Sequence, residues 1–154
     1  MSGGGFRLGV VLRLREMAED AARARLATAV DAHRLATEEL IARTAAEHEA
    51  QGRVMEMAEA GAQAGEIRAA RAGIETAEAA TKMARAKLEK ASEGLMVARS
   101  ALAEASKRRE VVERLRDRIR QVEARDAQHR EDNQLSEIAG VRHARALGTR
   151  EVEP

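Results

Sequence analysis

The chain has 154 residues, no Cys, Trp or Tyr, one Phe and one Pro, with 44% apolar and 34% charged residues. A core without aromatic side chains must be built from Ala, Leu, Val, Ile and Met. An Ala-, Glu-, Arg- and Leu-rich chain almost free of proline forms long helices rather than sheets. The apolar fraction is too high and the net charge of +1 too low for disorder. The same balance lacks the basic excess of a nucleic-acid domain, and with no Trp or Tyr and a single Phe the chain lacks the aromatic platform on which bases stack. Without Cys there are no disulfides, thiolate metal sites or cysteine nucleophiles. No run approaches the roughly 20 apolar residues that span a bilayer, and Phe6–Leu14 is short and interrupted by Arg7 and Arg13.

The first predicted element is a helix from Phe6 to about Ala60, preceded by Gly3-Gly4-Gly5, which reads as a flexible linker because no Lys-Ser/Thr follows to make a phosphate loop. Its start is densely apolar, with Phe6, Leu8, Val11, Leu12, Leu14, Met17 and Ala18. Further on, Ala22, Ala29 and Ala36 recur every seven residues, interleaved with Leu26, His33 and Leu40.

Gly61-Ala-Gln-Ala-Gly65 is the expected turn, since each Gly costs a helix about 1 kcal/mol relative to Ala. Gly52 is a weaker candidate, and Gly73 and Gly94 lie off the seam. The second helix is predicted from about residue 66 to Arg142, leaving 143–154 as a frayed tail of a single coiled-coil domain.

That second helix has the clearest pattern. Ile67, Ile74, Leu88, Leu95 and Leu102 share one seven-residue register, with Thr81 as its polar member. Ala70, Ala77, Ala84, Ala91, Ala98 and Ala105 occupy the other core position. Two segments with the same alternation of large and small residues are expected to be each other's partners. The predicted fold is therefore all-α, two long helices in an antiparallel coiled-coil hairpin with a protruding C-terminal helical arm. A turn near Gln63 pairs residue i with about residue 126 − i. Phe6 then runs out near Arg120, and beyond it Asp126, His129 and Asn133 fall on core positions that nothing covers, before Leu135 and Ile138 restore a short apolar patch. The step from Val112 to Leu115 reads as a stammer at Lys107-Arg108-Arg109, with a local change of supercoil.

No catalytic constellation emerges. His33 lies on the seam and reads as a packed residue. His129 with Asp126 and Asp132 lacks the surrounding hydrogen-bond partners that a metal site needs. The many carboxylates have no pocket to separate their pKa values and read as a solvated face with i,i+4 pairs such as Glu110–Arg114. No enzymatic activity, metal or cofactor is expected. The stretch Lys107, Arg108, Arg109, Arg114, Arg116, Arg118 and Arg120 reads either as a solvated helix surface or as a basic collar that engages an acidic protein.

Three features together resemble the FliJ family, the small coiled-coil component of the flagellar type III export apparatus. The opening Phe6-Arg-Leu-Gly-Val-Val-Leu-Arg-Leu-Arg15 is similar to that family's start. The basic Lys107-Arg-Arg109 and the charged helix to Asn133-Gln-Leu-Ser-Glu-Ile-Ala139 are similar to its end. The resemblance implies a non-catalytic protein of flagellum biogenesis and protein export, similar in form to the stalk coiled coil of the F-type ATP synthase gamma subunit. It implies insertion into the hexameric export ATPase FliI, promotion of that ring's assembly and activity, contact with the export gate FlhA, handling of export chaperones, and a place at the cytoplasmic face of the inner membrane. Carried onto this chain, the ATPase-facing set is Phe6, Arg7, Leu8, Val11, Leu12 and Arg15 with Val112, Leu115, Arg116, Ile119 and Arg120. The gate-facing candidates are Ile41, Val54, Met55, Met57 and Met83, in a stretch where the family often bears aromatic residues and this chain has none. The alternatives are a generic coiled-coil adaptor or dimerisation module, and the equivalent stalk of a virulence secretion system. A peripheral membrane or nucleic-acid binder would need a more basic amphipathic helix.

Overall fold

The computed structural model describes residues 3–148 and consists of two helices, α1 (Gly3–Glu59) and α2 (Ala64–Gly148). Both are uninterrupted. Gly52 does not break α1, and Gly73 and Gly94 lie within α2. The glycines expected to form a flexible linker are instead the first turn of α1, and α2 continues past Arg142 to Gly148. Residues 149–154 of the expected tail lie outside the described residues, as do Met1 and Ser2. Two compact units result, one of Leu14–Lys107 and one of Met1–Arg13 with Arg108–Pro154.

The unit Leu14–Lys107 is an antiparallel helical hairpin. Its turn is set by local chemistry on both sides. Gly61 closes α1 with φ of +77°, the left-handed conformation that costs a residue with a Cβ about 1–2 kcal/mol. The Ala62 N–H reaches back to the Met57 carbonyl at 3.0 Å and the Gly61 N–H to that of Ala58 at 3.2 Å, which satisfies carbonyls that the helix end would otherwise leave bare. On the other side Gln63 caps α2. Its carbonyl accepts from the Ile67 N–H at 3.1 Å, and its own N–H donates to the Glu66 carboxylate at 3.0 Å. Glu66 also places a negative charge in the first turn of α2, where the helix dipole favours it.

Two side-chain contacts fix the pairing of the helices. Lys87 donates to both Glu39 carboxylate oxygens, at 2.9 and 3.1 Å. Farther from the turn, Ser106 donates to Glu19 at 2.9 Å. Both fall on the register expected for a turn near Gln63. Along the helix pair runs the alternating seam, in which Ala22, Ala36, Ala84 and Leu95 are buried. Leu26, Ala29, Leu40, Ile67, Ala70, Ile74, Ala77, Leu88, Ala91, Ala98, Leu102 and Ala105 are half-buried. No side chain here is large and fully enclosed, as follows from a core only two helices wide.

Polar residues interrupt this seam. Glu19 is 3% exposed, and its carboxylate accepts from Arg23 at 2.6 Å as well as from Ser106. Thr81 is also 3% exposed, and its hydroxyl makes no hydrogen bond with any described residue.

The anticipated stammer does not appear. Half-buried positions on α2 continue as Leu102, Ala105, Arg109, Val112, Arg116 and Ile119, an unbroken alternation of three- and four-residue steps. Leu115, which the apolar pattern placed in the core, is 46% exposed. An Arg can lay its aliphatic stem along a seam and keep its guanidinium at the edge. The geometric register therefore prevails over the apolar one, and Leu115 falls outside.

Three substitutions, at the turn, inside α2 and at Thr81, test these features. Substituting Gly61→Ala is expected to destabilise the hairpin by about 1–2 kcal/mol through backbone strain alone, since a Cβ there meets nothing within 4 Å. Gly94→Ala, equally open but inside a helix, is expected to stabilise it by up to about 1 kcal/mol. Thr81→Val removes a buried, unsatisfied hydroxyl and is expected to gain about 1 kcal/mol. Urea midpoints at unchanged m-value measure all three.

Candidate functional site

The densest combination of apolar and basic residues lies in the unit formed by Met1–Arg13 and Arg108–Pro154. Its packed side is made by Leu8 and the buried Leu12 from α1 and by Val112 and Ile119 from α2. Arg109 and Arg116 share that side of α2. Arg109 binds Glu113 at 2.6 Å, one helical turn on. The Arg116 Nε lies 3.6 Å from the Asp117 carboxylate, is itself buried, and forms no hydrogen bond with a described residue.

The other side of α2 presents Val111, Arg114, Leu115 and Arg118, which together line a shallow groove. Arg114 is held by Glu110 at 3.3 Å, in the i,i+4 arrangement expected from the sequence. Val10 and Val11 are the exposed apolar residues of α1 in the same unit, and Arg7 is exposed as well. Exposed aliphatic side chains between guanidinium groups are a composition enriched at protein interfaces.

The eleven residues singled out for ATPase contact from the sequence therefore do not form one surface. Arg7, Val11, Leu115 and Arg120 face outward. Leu8, Leu12, Val112, Arg116 and Ile119 belong to the packed side. Arg15 is half-buried and belongs to the other compact unit, and the Phe6 side chain lies outside the described residues. Reasoning from apolar periodicity missed Val111 as an outward residue, whereas Arg118 had been read as part of an outward basic stretch. The signal was available in the unbroken register through Arg109 and Arg116, which makes 111, 115 and 118 neighbours on the opposite face.

Beyond Arg120 the helix is bare. Every side chain from Gln121 to Arg145 is exposed, including those of Asp126, His129 and Asn133 on the seam register and those of Leu135, Ile138 and Val141. Among the described residues no group of three His, Asp or Glu side chains is placed to hold a metal ion, and no helix is long and apolar enough to cross a membrane.

The gate-facing candidates all lie in the hairpin unit. Ile41, Met55 and Met83 are exposed, whereas Val54 and Met57 are half-buried. Ile41 and Met55 project on one flank of the seam and Met57 and Met83 on the other, so the five do not make a single patch.

The packed and outward sides are separable by substitution. Ile119→Ala is expected to cost about 1–2 kcal/mol, less than for a fully enclosed side chain. Leu115→Ala, on the outward side, is expected to stay within about 0.5 kcal/mol of the parent. Urea denaturation followed by circular dichroism distinguishes the two.

No curated protein and no solved structure matches the chain. A family model described as flagellar FliJ protein matches residues 4–148.

Proposed function

The chain belongs to the FliJ family, a non-catalytic component of flagellar protein export, and we propose that within that apparatus it is the stalk of the export ATPase. In this reading the unit holding both chain ends enters the hexameric ring of FliI and promotes its assembly and activity. The hairpin unit reaches the export gate FlhA through Met and Ile side chains. Export chaperones are further partners, and the working place is the cytoplasmic face of the inner membrane.

The observation that carries the reading is the outward face of Val111, Arg114, Leu115 and Arg118, joined in its unit by Arg7, Val11 and Arg120. Exposed aliphatic side chains supply area that is favourable to bury, at about 25 cal/mol per Å². Arginines between them can fork onto carboxylates of a ring lumen while remaining only weakly hydrated. A rotor-like part also benefits from a contact made of many small terms rather than one deep anchor. The gate contact rests on Ile41 and Met55, which share one flank and are each about two-thirds exposed. Met adapts its shape to an irregular surface without the rings found elsewhere in the family.

ATP hydrolysis by FliI, measured with and without this protein, tests the proposal. The parent chain is expected to stimulate hydrolysis and ring formation. The double reversal Arg114→Glu with Arg118→Glu is expected to abolish stimulation at unchanged helicity. Arg116→Glu, on the packed side, is expected to lower stability as well. A parent chain without effect, or a double reversal as active as the parent, would overturn the stalk reading.

A further inference from the structure

The two flanks of the hairpin seam differ in kind. On α2 one flank carries dense alternating charge, as in Arg71, Glu78, Arg85 and Glu89, beside Ile41, His48 and Met55 of α1. The other is made of small residues and forms two shallow grooves, one walled by Ala46, Ala50, Gly73 and Ala80 and the other by Ala32, Leu35 and Gly94. Each groove has a few charges at its rim. Arg43 and Arg53 border the first, and Glu39, Lys87 and Lys90 border the second. Leu35 is exposed between them.

We propose that this small-residue flank is the interface of a homodimer, in which a second copy of the hairpin packs antiparallel on the first about a two-fold axis running from Ala46 to Ala80. The charge order along α1 selects this occupant. Antiparallel pairing about Ala46 sets Glu39 against Arg53 of the second copy and Arg43 against Glu49 of the second copy. Leu35 meets Met57 of the second copy. Within one chain Arg43 makes no ion pair with any described residue, and Arg53 approaches Glu49 only to 3.9 Å. The dimer supplies the partner that the monomer lacks.

The second helix fits the same axis. The Glu39–Lys87 contact fixes the hairpin register and places Ala80 level with Ala46. Both residues line the same groove, so the axis passes where side chains are smallest and helices can approach most closely. The axis then sets Lys87 over Gly73 of the second copy, where a Cβ would meet nothing within 4 Å and the long side chain has room. Glu39, which already holds Lys87 of its own chain, then bridges that Lys87 and Arg53 of the second copy. Because an isologous interface repeats every contact, each favourable pair counts twice. The inference stands apart from the ATPase contact, whose residues lie in the other unit. It does cover Met57 and Met83, so dimerisation and a gate contact through those two residues exclude each other.

Sedimentation equilibrium of the full chain across a concentration series is the test, with a cysteine cross-link as a second readout. The chain has no native Cys, so a bis-maleimide reacts only at an introduced thiol. A reversible monomer–dimer equilibrium is expected. Arg43→Glu should weaken it about tenfold, since it turns two attractive pairs repulsive, and adding Glu49→Arg should restore it. Ala46→Cys should cross-link efficiently and His48→Cys, at the same level on the charged flank, should not. A monomer at every concentration, a dimer indifferent to Arg43→Glu, a loss that Glu49→Arg fails to restore, or equal cross-linking at both cysteines would each overturn the proposal.

Discussion

Two helices packed against each other have a single line of contact in which to hide apolar surface, and most features of this protein answer to that constraint. Small side chains on the line are readily enclosed, as at Ala22, Ala36 and Ala84, whereas many of the large ones, such as Leu26 and Leu88, are only half-buried and a few, such as Leu95, are buried. Alternating Ala with Leu or Ile lets the large residues of one layer fill the space left by the small residues of the next. Aromatic rings would force the helices apart, and the hairpin unit has no Phe, Tyr or Trp. The hairpin also depends on a turn that reverses direction within a few residues, which Gly61 and the Gln63–Glu66 cap accomplish by satisfying the backbone groups that both helix ends expose.

Where the line of contact is the only source of burial, polar residues on it take on a defining role. Glu19 and Ser106, and Glu39 with Lys87, join positions far apart in sequence and allow one register. A slip by one heptad would retain much of the Ala–Leu alternation and lose both contacts. Glu19 is buried whereas the Glu39–Lys87 pair is largely exposed, and such contacts contribute little net stability in general, but here they distinguish the native pairing from near-equivalent ones. In the other unit Arg109 and Arg116 take the packed side of α2, in a stretch where apolar residues are scarce. Turning them inward frees Val111, Leu115 and Arg118 to form the outward face.

Much of the fold was legible in the sequence because it is periodic. The seven-residue repeat of Ile67, Ile74, Leu88 and Leu95 against Ala70, Ala77, Ala84 and Ala91 specifies helix, seam and partner at once, and the paired glycines specify the turn. The Leu135–Ile138 patch and the polar core positions before it mark the uncovered helix. The outward face was harder to read. Sorting residues by hydropathy placed Leu115 inside and Arg116 at the surface, whereas the helix period continues through Arg109 and places them the other way round. An Arg is apolar along its stem and charged at its tip, so a binary pattern has no symbol for it. The gate candidates show a second limit, since exposure of Met55 and Met83 says that a partner has room and nothing about which flank it prefers.

Site-specific photo-cross-linking to the export ATPase examines the central claim, that the face of α2 carrying Leu115 is the one a partner ring covers. A photoreactive residue at position 115 should cross-link to FliI in the assembled complex, and one at position 119, on the packed side of the same turn, should cross-link within its own chain. Cross-links to FliI from position 119 and none from position 115 would contradict the account, because they would mean that the packed side opens on binding and the outward face is a bystander.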